Sequence, residues 1–435
     1  MLDTVVLTLD QREFEVLEPD RFSPSARGIV APPFLALGAR GVFTCFQNPT
    51  KTDFAEGRYG PRLTLTRRKV REGFALTLRI EFSAPKLIFG NNFDELRSRN
   101  LEAVLEALLR SLKKAGIRTT EDVLRAAKVS AIHYSKNMLL TDFTSCSMVM
   151  GELARLDLDA RLDLARTDYR NDGHAIRYHA NSYEIVFYDK LKDLEKARFS
   201  EKRAIEKDSA VQFDLLETRS RFPKGVEVLR LEIRLGNRTK IKDVLRRAGA
   251  EVEPTFAALF DISIAKDVLG HFWSRIEAAL PPAGAGTRER PEDILARVAA
   301  AASGEARPAK LRQLLGGMIL LDSVGIRGLR ALILRHGTPR SWQRLKRELK
   351  ELPSASSAGF GALRDVDEAL RTFRPLAMGD FPAPATQDSV PVKGPPTHDS
   401  CTTPRTKAVF SPIASRSKGS ATTRWRSRCR RRGST

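Results

Sequence analysis

Cysteine is scarce in this chain, with four among 435 residues: Cys45, Cys146, Cys401 and Cys429. They lie far apart, with no C-x-x-C pair and no regular spacing, which excludes a disulfide framework and a cysteine zinc site and predicts unpaired thiols in a reducing compartment. Histidine is nearly as rare. No two of the six are separated by a single residue, so a His-hydrophobe-His ligand pair is missing, and His174 and His179 fall on opposite faces of a strand. H-E-x-x-H, G-x-x-x-x-G-K-[ST] and G-x-S-x-G are absent as well, which argues against a zincin, a P-loop NTPase and an α/β-hydrolase. No apolar run approaches the roughly 18 to 20 residues of a membrane span. The start, Met1-Leu2-Asp3, has neither the basic region nor the apolar run of a signal peptide, so a cytoplasmic protein without a membrane partner is expected.

Acidic residues are also in deficit: 74 Lys and Arg stand against 53 Asp and Glu, giving +21 and a pI near 10.1. Such an excess points to a polyanion, nucleic acid or anionic lipid. Part of it is local, because residues 381–435 hold 11 Lys and Arg against Asp388 and Asp399 alone and so carry +9. A hydrophobic share of 42% is ample for a core, and the length suits two or three domains.

Residues 4–90 read as strands: Val5 to Leu9, Arg62 to Thr66 and Phe74 to Phe82 are β-branched or alternating, and Arg71-Glu72-Gly73 supplies a hairpin turn. A helix follows, with Leu101, Val104, Leu105, Leu108, Leu109 and Leu112 on one face and Gly116 as its stop. Further along come a strand at Val129–Tyr134, a helix at Ser147–Leu156 and a strand at Tyr183–Tyr188. Val226 to Leu235 alternates most clearly, setting Arg230, Glu232 and Arg234 on a face that must meet water, a partner or a site. Helices at Arg238–Ala248 and Asp261–Leu280 complete an α+β pattern: a mixed or antiparallel sheet covered by helices on one side, over residues 1–280.

The breaker cluster Pro281 to Gly286 marks a boundary, and residues 291–352 form a small helical unit. Its runs Leu311–Asp322, Arg327–Arg335 and Pro339–Leu349 are divided by Gly325 and Gly337, and the last opens with Thr338 as N-cap and Pro339 at the first helical position. Arg340, Arg344, Arg347 and Lys350 make this final helix basic. It suits either a helix-turn-helix DNA reader or an ordinary helical unit with a solvated basic face. Residues 375–435 have a disordered composition, as a basic arm for phosphates or as a stretch without a role.

Polar residues on predicted strands carry what chemistry there is: His133 and Tyr134 on one, Tyr188, Asp189 and Lys190 ending a second, and Glu232 between Arg230 and Arg234 on a third. A phenol attacks a phosphodiester only when a cation favours its ionised form and a metal polarises phosphorus. Lys190, a nearby arginine, and a divalent ion held by Glu232 and His133 would meet those needs. Each residue taken singly has a blander use, Tyr188 as a strand aromatic and Glu232 as a salt-bridge partner.

Four segments in order carry a resemblance. Leu78 to Phe93, with Ser83-Ala84-Pro85-Lys86 and Gly90-Asn91-Asn92 before the long helix, Ser130 to His133, Ile185 to Leu194, and Leu229 to Arg234 are together similar to the filamentous-phage gene II replication endonuclease family, and Ser341 to Leu345 resembles its last helices. The likeness spans about residues 5–350. It implies a rolling-circle replication initiator that binds duplex and single-stranded DNA at an origin, nicks one strand through Tyr188 with Mg²⁺ or Mn²⁺ at Glu232, rejoins it later, and works beside a host polymerase and helicase. Relatives carry Arg-x-Asp where this chain has Ala131-Ile132-His133, so the second metal ligand is His133, Asp163 or Asp168. The competing expectation is a non-catalytic DNA-binding protein descended from such an initiator. An RNA or anionic-membrane partner for the tail is a third.

Overall fold

The structure is a computed structural model. It describes residues 1–24, 42–50, 59–71, 73–140, 144–156, 168–170, 174–198, 226–279, 308–350 and 361–380, with a few positions between them.

Twelve strands are found among these residues. Ten of them, β1 (Leu2–Asp10), β3 (Ser23–Pro24), β4 (Phe43–Gln47), β5 (Arg62–Val70), β6 (Gly73–Ser83), β8 (Lys128–Leu140), β9 (Asp168–Arg170), β10 (Ala175–His179), β11 (Tyr183–Asp189) and β12 (Glu227–Leu235), build one sheet in the order β3-β4-β5-β6-β1-β8-β12-β11-β10-β9. The short β2 (Glu15–Val16) and β7 (Ile117–Arg118) pair separately. The large sheet is antiparallel at every described pairing, so the mixed alternative falls away. Alternation explains this: such sheets bury one face and leave the other for polar side chains. Val5, Leu7, Leu9, Leu63, Leu65, Leu78, Ile80, Leu229, Leu231 and Ile233 share the buried face, and each is at most 1% exposed.

The expected β5–β6 hairpin is present, in register from Arg62↔Glu81 to Val70↔Gly73, and Gly73 takes the positive φ of 126° that the turn requires. β8 is longer than its sequence signal. It runs on to Leu140 because β12 pairs with it all the way from Leu235↔Ile132 to Glu227↔Leu140, which carries the polar Ser135-Lys136-Asn137 along. β1 stops opposite Tyr134, and there the carboxylate of Glu95 takes over the open edge of β8. It accepts from the Asn137 amide at 2.5 Å and from Lys136 Nζ at 2.8 Å.

Helices pack on the apolar face. α1 (Ala84–Phe89) leads to α2 (Leu101–Lys114), whose Val104, Leu105, Leu108 and Leu112 are buried, and Gly116 ends it at φ 74°. α3 (Glu121–Ala126) and α4 (Cys146–Arg155) begin at the side-chain caps Thr120 and Ser145. α5 (Lys190–Arg198) continues directly from β11, and α6 (Arg238–Arg247) follows β12 after the cap Asn237. α7 (Phe256–Leu259) and α8 (Ile262–Glu277) complete the layer, with Val268, Leu269, Phe272, Trp273 and Ile276 on the expected stripe. The helices do not all lie on one side, however. Leu191 and Leu194 of α5 join Phe93 and Val228 in a small cluster over the other face.

α9 (Pro308–His336) is two helices joined at Gly325, which has φ 70° and ψ 169°, and α10 (Pro339–Lys350) starts at Thr338, whose Oγ1 accepts from the Ser341 amide at 3.2 Å. The two helices share their own apolar cluster, with Leu314, Met318, Leu321, Trp342, Leu345 and Leu349 buried. The chain then returns to the sheet. α11 (Gly361–Thr372) places Leu363, Val366 and Leu370 in the main core, and Leu376 and Met378, inside the stretch expected to be tail, hydrogen-bond to Glu95 and Asp94. Residues 381–435 lie outside the described residues. Among those described, no helix is long and apolar enough to cross a membrane.

Candidate functional site

Three neighbouring strands build the site on the face of the sheet away from the main core. Because side chains alternate, β12 presents Arg230, Glu232 and Arg234 together, and the pairing aligns them in rows: Tyr188–Arg230–Asn137, Val186–Glu232–Ser135 and Glu184–Arg234–His133. Residues 42 and more apart in sequence thus become lateral neighbours.

Glu232 is the hub. Tyr188 Oη donates to its Oε2 at 3.3 Å, Arg234 Nε donates to Oε1 at 2.9 Å, and His133 Nδ1 lies 3.2 Å from Oε1. Burial works to raise the carboxyl's pKa, but Arg234, His133 and Arg230 outweigh it and hold Glu232 well below the usual carboxylate range. Arg234 also reaches Glu184 at 3.2 Å, and Glu184 in turn meets His179 at 2.9 Å and Arg177 at 3.3 Å. A chain of alternating charges therefore runs from Tyr188 toward the far end of these strands.

Tyr188 itself is buried, and burial pushes its phenol well above the ordinary value near 10. Arg230 opposes that shift, while Glu232, Asp193 and Asp3 reinforce it. Arg230, its cross-strand neighbour, is thus a cation that acts on the phenol. Arg230 is 1% exposed and its terminal nitrogens are committed: to Asp3 Oδ2 at 3.0 Å, Ser135 Oγ at 2.7 Å, the Asn92 carbonyl at 2.6 Å and Asn137 Oδ1 at 3.3 Å. Of the two arginines that the alternation of β12 set on this face, Arg230 is thus the enclosed one.

Lys190 sits where β11 turns into α5 and is fully buried. Its Nζ donates to Asn92 Oδ1 at 2.8 Å, lies 4.0 Å from Asp193, and is 5.9 Å from the centre of the Tyr188 ring. Burial, followed by the charge of Arg230, pushes its pKa down to about 7. Arg234 is a third exposed and opens the site to solvent together with His133. On α10, Arg340, Arg344 and Arg347 are exposed on the face opposite the buried Trp342, Leu345 and Leu349. Lys350 ends that helix. Asp163 and the side chains of Asp168 and Lys350 lie outside the described residues.

Several partners were not foreseen. Asp3 reaches Arg230 because the β1–β8 register shifts between Leu2 and Val5, an irregularity no periodicity signals. Asn92 follows a turn built by Asn91, whose Oδ1 accepts from the Phe93 and Asp94 amides. Only the Gly90-Asn91-Asn92 run hinted at it.

As a metal ligand set, Glu232 and His133 bring one carboxylate and one imidazole to a single point, donors that suit Mn²⁺ better than the all-oxygen shell of Mg²⁺. They fit a divalent ion on one condition, that Arg234 gives up Oε1. A second group lies on the opposite face. Cys146, Asp189 and Glu227 place their donor atoms within 4.8 Å of one another and could hold a metal ion. Two of the three also serve helix starts: Glu227 accepts from the Cys146 amide at 2.7 Å, and Asp189 from the Lys192 amide at 3.0 Å. Burial pushes the Cys146 thiol and the Asp189 carboxyl up, and each neighbouring negative charge adds to the rise.

No protein family, curated protein or solved structure matches this chain.

Proposed function

We propose that the protein is a DNA-nicking and rejoining enzyme of the rolling-circle replication initiator kind. The observation that carries this reading is the convergence of Tyr188, Arg230, Glu232, His133 and Lys190, from three strands and a helix start, on one sheet face. A phenol needs a fixed orientation and a cation to become a nucleophile, and a lone strand tyrosine has neither.

In this reading Glu232 accepts the phenolic hydrogen bond and so aims Oη, while Arg230 favours the phenolate. Tyr188 Oη gives its proton to solvent and attacks phosphorus, the bond from phosphorus to the 3′ oxygen breaks, and that oxygen leaves as a hydroxyl after taking up a proton from solvent. The product is a 5′-phosphotyrosine, whose energy the reverse attack by a 3′-hydroxyl recovers. A divalent ion at Glu232 and His133 would supply charge neutralisation at the phosphate. The exposed Arg340, Arg344 and Arg347 of α10 would hold duplex DNA through its phosphates, at an origin served by host polymerase and helicase.

A second reading, a binding protein without catalysis, draws on one feature: both oxygens of Glu232 are already engaged by protein donors. One experiment separates the two. Supercoiled DNA carrying the cognate origin is incubated with Mn²⁺ and assayed for open circles and for a covalent protein–DNA adduct. The wild type is expected to form both and Tyr188→Phe neither, with loss of at least about 10³-fold. An adduct that persists in Tyr188→Phe moves the nucleophile elsewhere, and no adduct with the wild type leaves the binding reading.

A further inference from the structure

α6 carries five cations in ten residues, Arg238, Lys240, Lys242, Arg246 and Arg247, none of which the sequence singled out as a nucleic-acid contact. Two carboxylates serve them all. Asp243 pairs with Lys240 at 3.1 Å, Arg246 at 3.2 Å and Arg247 at 2.9 Å, and Glu253 pairs with Lys242 at 3.0 Å and with Arg238. Five positive charges against two negative ones leave the helix strongly cationic. Arg246 and Lys242, 76% and 52% exposed, are free to exchange partners, and exposed ion pairs of this kind contribute little net stability, whereas Lys240 packs over the Tyr183 ring. His271 senses the same field. Burial lowers its pKa first, and Arg275, Arg247 and Lys240 lower it further.

An open groove of about 810 Å³ runs along this helix, lined by Ser182, Asn237 and Thr239, by Lys240, Lys242 and Arg246, and by the carboxylate of Asp243. Its place in the sheet is what gives it meaning. The Gly236 amide donates to the Ser182 carbonyl at 2.8 Å, closing the ends of β11 and β12, and two residues back along the same strands lies the Glu184–Arg234 pair. Gly236 is six residues from Arg230, about 20 Å of strand. Because Ile241, Val244 and Leu245 set α6 on the apolar face, the groove opens at the ends of β11 and β12, and the Tyr188 row lies around those ends on the other face.

Resting on the nicking activity proposed above, we infer that the α6 groove binds the phosphodiester backbone of single-stranded DNA next to the nick, the strand passing over the Ser182 and Gly236 ends of β11 and β12 to reach Tyr188 on the other face. The strand is single because Tyr188 lies sunk among the strands at 8% exposure, where the backbone of an intact duplex cannot descend. The groove offers what such a strand needs, a line of cations with hydroxyl and amide donors between them, in excess over the single carboxylate of Asp243.

The test is a salt series. Binding of the full chain to a fluorescein-labelled 20-nucleotide single strand is followed by anisotropy without metal, from 50 to 300 mM KCl, for wild type, K242E/R246E and the control K113E/K114E, which makes the same charge change on α2. Each phosphate contact contributes about 0.7 to the slope of log affinity against log salt on a single strand. K242E/R246E is therefore expected to flatten the slope by about 1.4 and to weaken binding about tenfold or more at 100 mM, with an unchanged circular dichroism spectrum, while K113E/K114E stays near wild type. An unaltered slope in K242E/R246E overturns the groove, as does an equal loss in K113E/K114E. An equal loss on the matching duplex overturns the single-strand assignment. Wild type that binds neither form defeats the nicking reading itself, which is a different outcome from all of these.

Discussion

Glu232 accepts from a phenol and a guanidinium with an imidazole alongside, and the competition among these groups sets what the site can do. Arg234 Nε holds the oxygen that a divalent ion would need. Replacing Arg234 with Gln removes that competitor, and Mn²⁺ binding followed by electron paramagnetic resonance is expected to tighten about tenfold, whereas Glu232→Gln abolishes it. Equal affinities in wild type and R234Q would take the metal away from Glu232. Lys190 allows a pH test. Its folded pKa of about 7 lies below the ordinary lysine value, so between the two the unfolded chain binds the extra proton and stability rises with pH. Urea unfolding of the wild type should show a gain of up to about 1.4 kcal/mol per pH unit from pH 7 toward 10. Lys190→Met should lack that gain and be flatter over the same window.

At the scale of elements, the strands and helices follow from alternation and from end signals, and the turns between them depend on single residues. Gly116 ends α2 at φ 74°, and a Cβ there would lie 2.7 Å from Glu18 Cβ, so both backbone and space demand glycine. Gly116→Ala is expected to cost roughly 1–3 kcal/mol in urea unfolding, through left-handed strain and displacement of the 15–18 segment. The hairpin of β5 and β6, the stripe of α8 and the cap of α10 were all legible, because each signal is local. β8 past Tyr134 was not. Ser135, Lys136 and Asn137 look like a loop, and they extend only because β12 supplies the ladder and Glu95 the missing edge. The same holds for α11, which follows a stretch rich in Ser and Gly and is held by burial against the sheet.

Across the whole molecule, the chain closes on itself through the link between Leu376 and Glu95. Glu95 Oε2 accepts from the Leu376 amide at 2.8 Å and from Lys136 at the same distance, so the residues after α11 help hold the edge of β8. Two truncations test this. Ending the chain after Asp380 should leave thermal stability unchanged and reduce only the salt-sensitive share of DNA affinity, whereas ending it after Arg374 should lower the melting temperature by several degrees. Equal melting temperatures would show the link to be dispensable. The charge of +21, the alternation of β12 and the apolar stripes were set by sequence alone, because they are properties of neighbours along the chain. From them came an α+β chain with a sheet and the short list Tyr188, Lys190, Glu232 and His133. Register decided the rest: that Arg230 lies beside the phenol and not on the surface, that Asp3 and Asn92 hold it there, and that Arg234 meets Glu184 across the strands. These are contacts between residues tens to over two hundred positions apart, and only pairing across strands determines which of them meet.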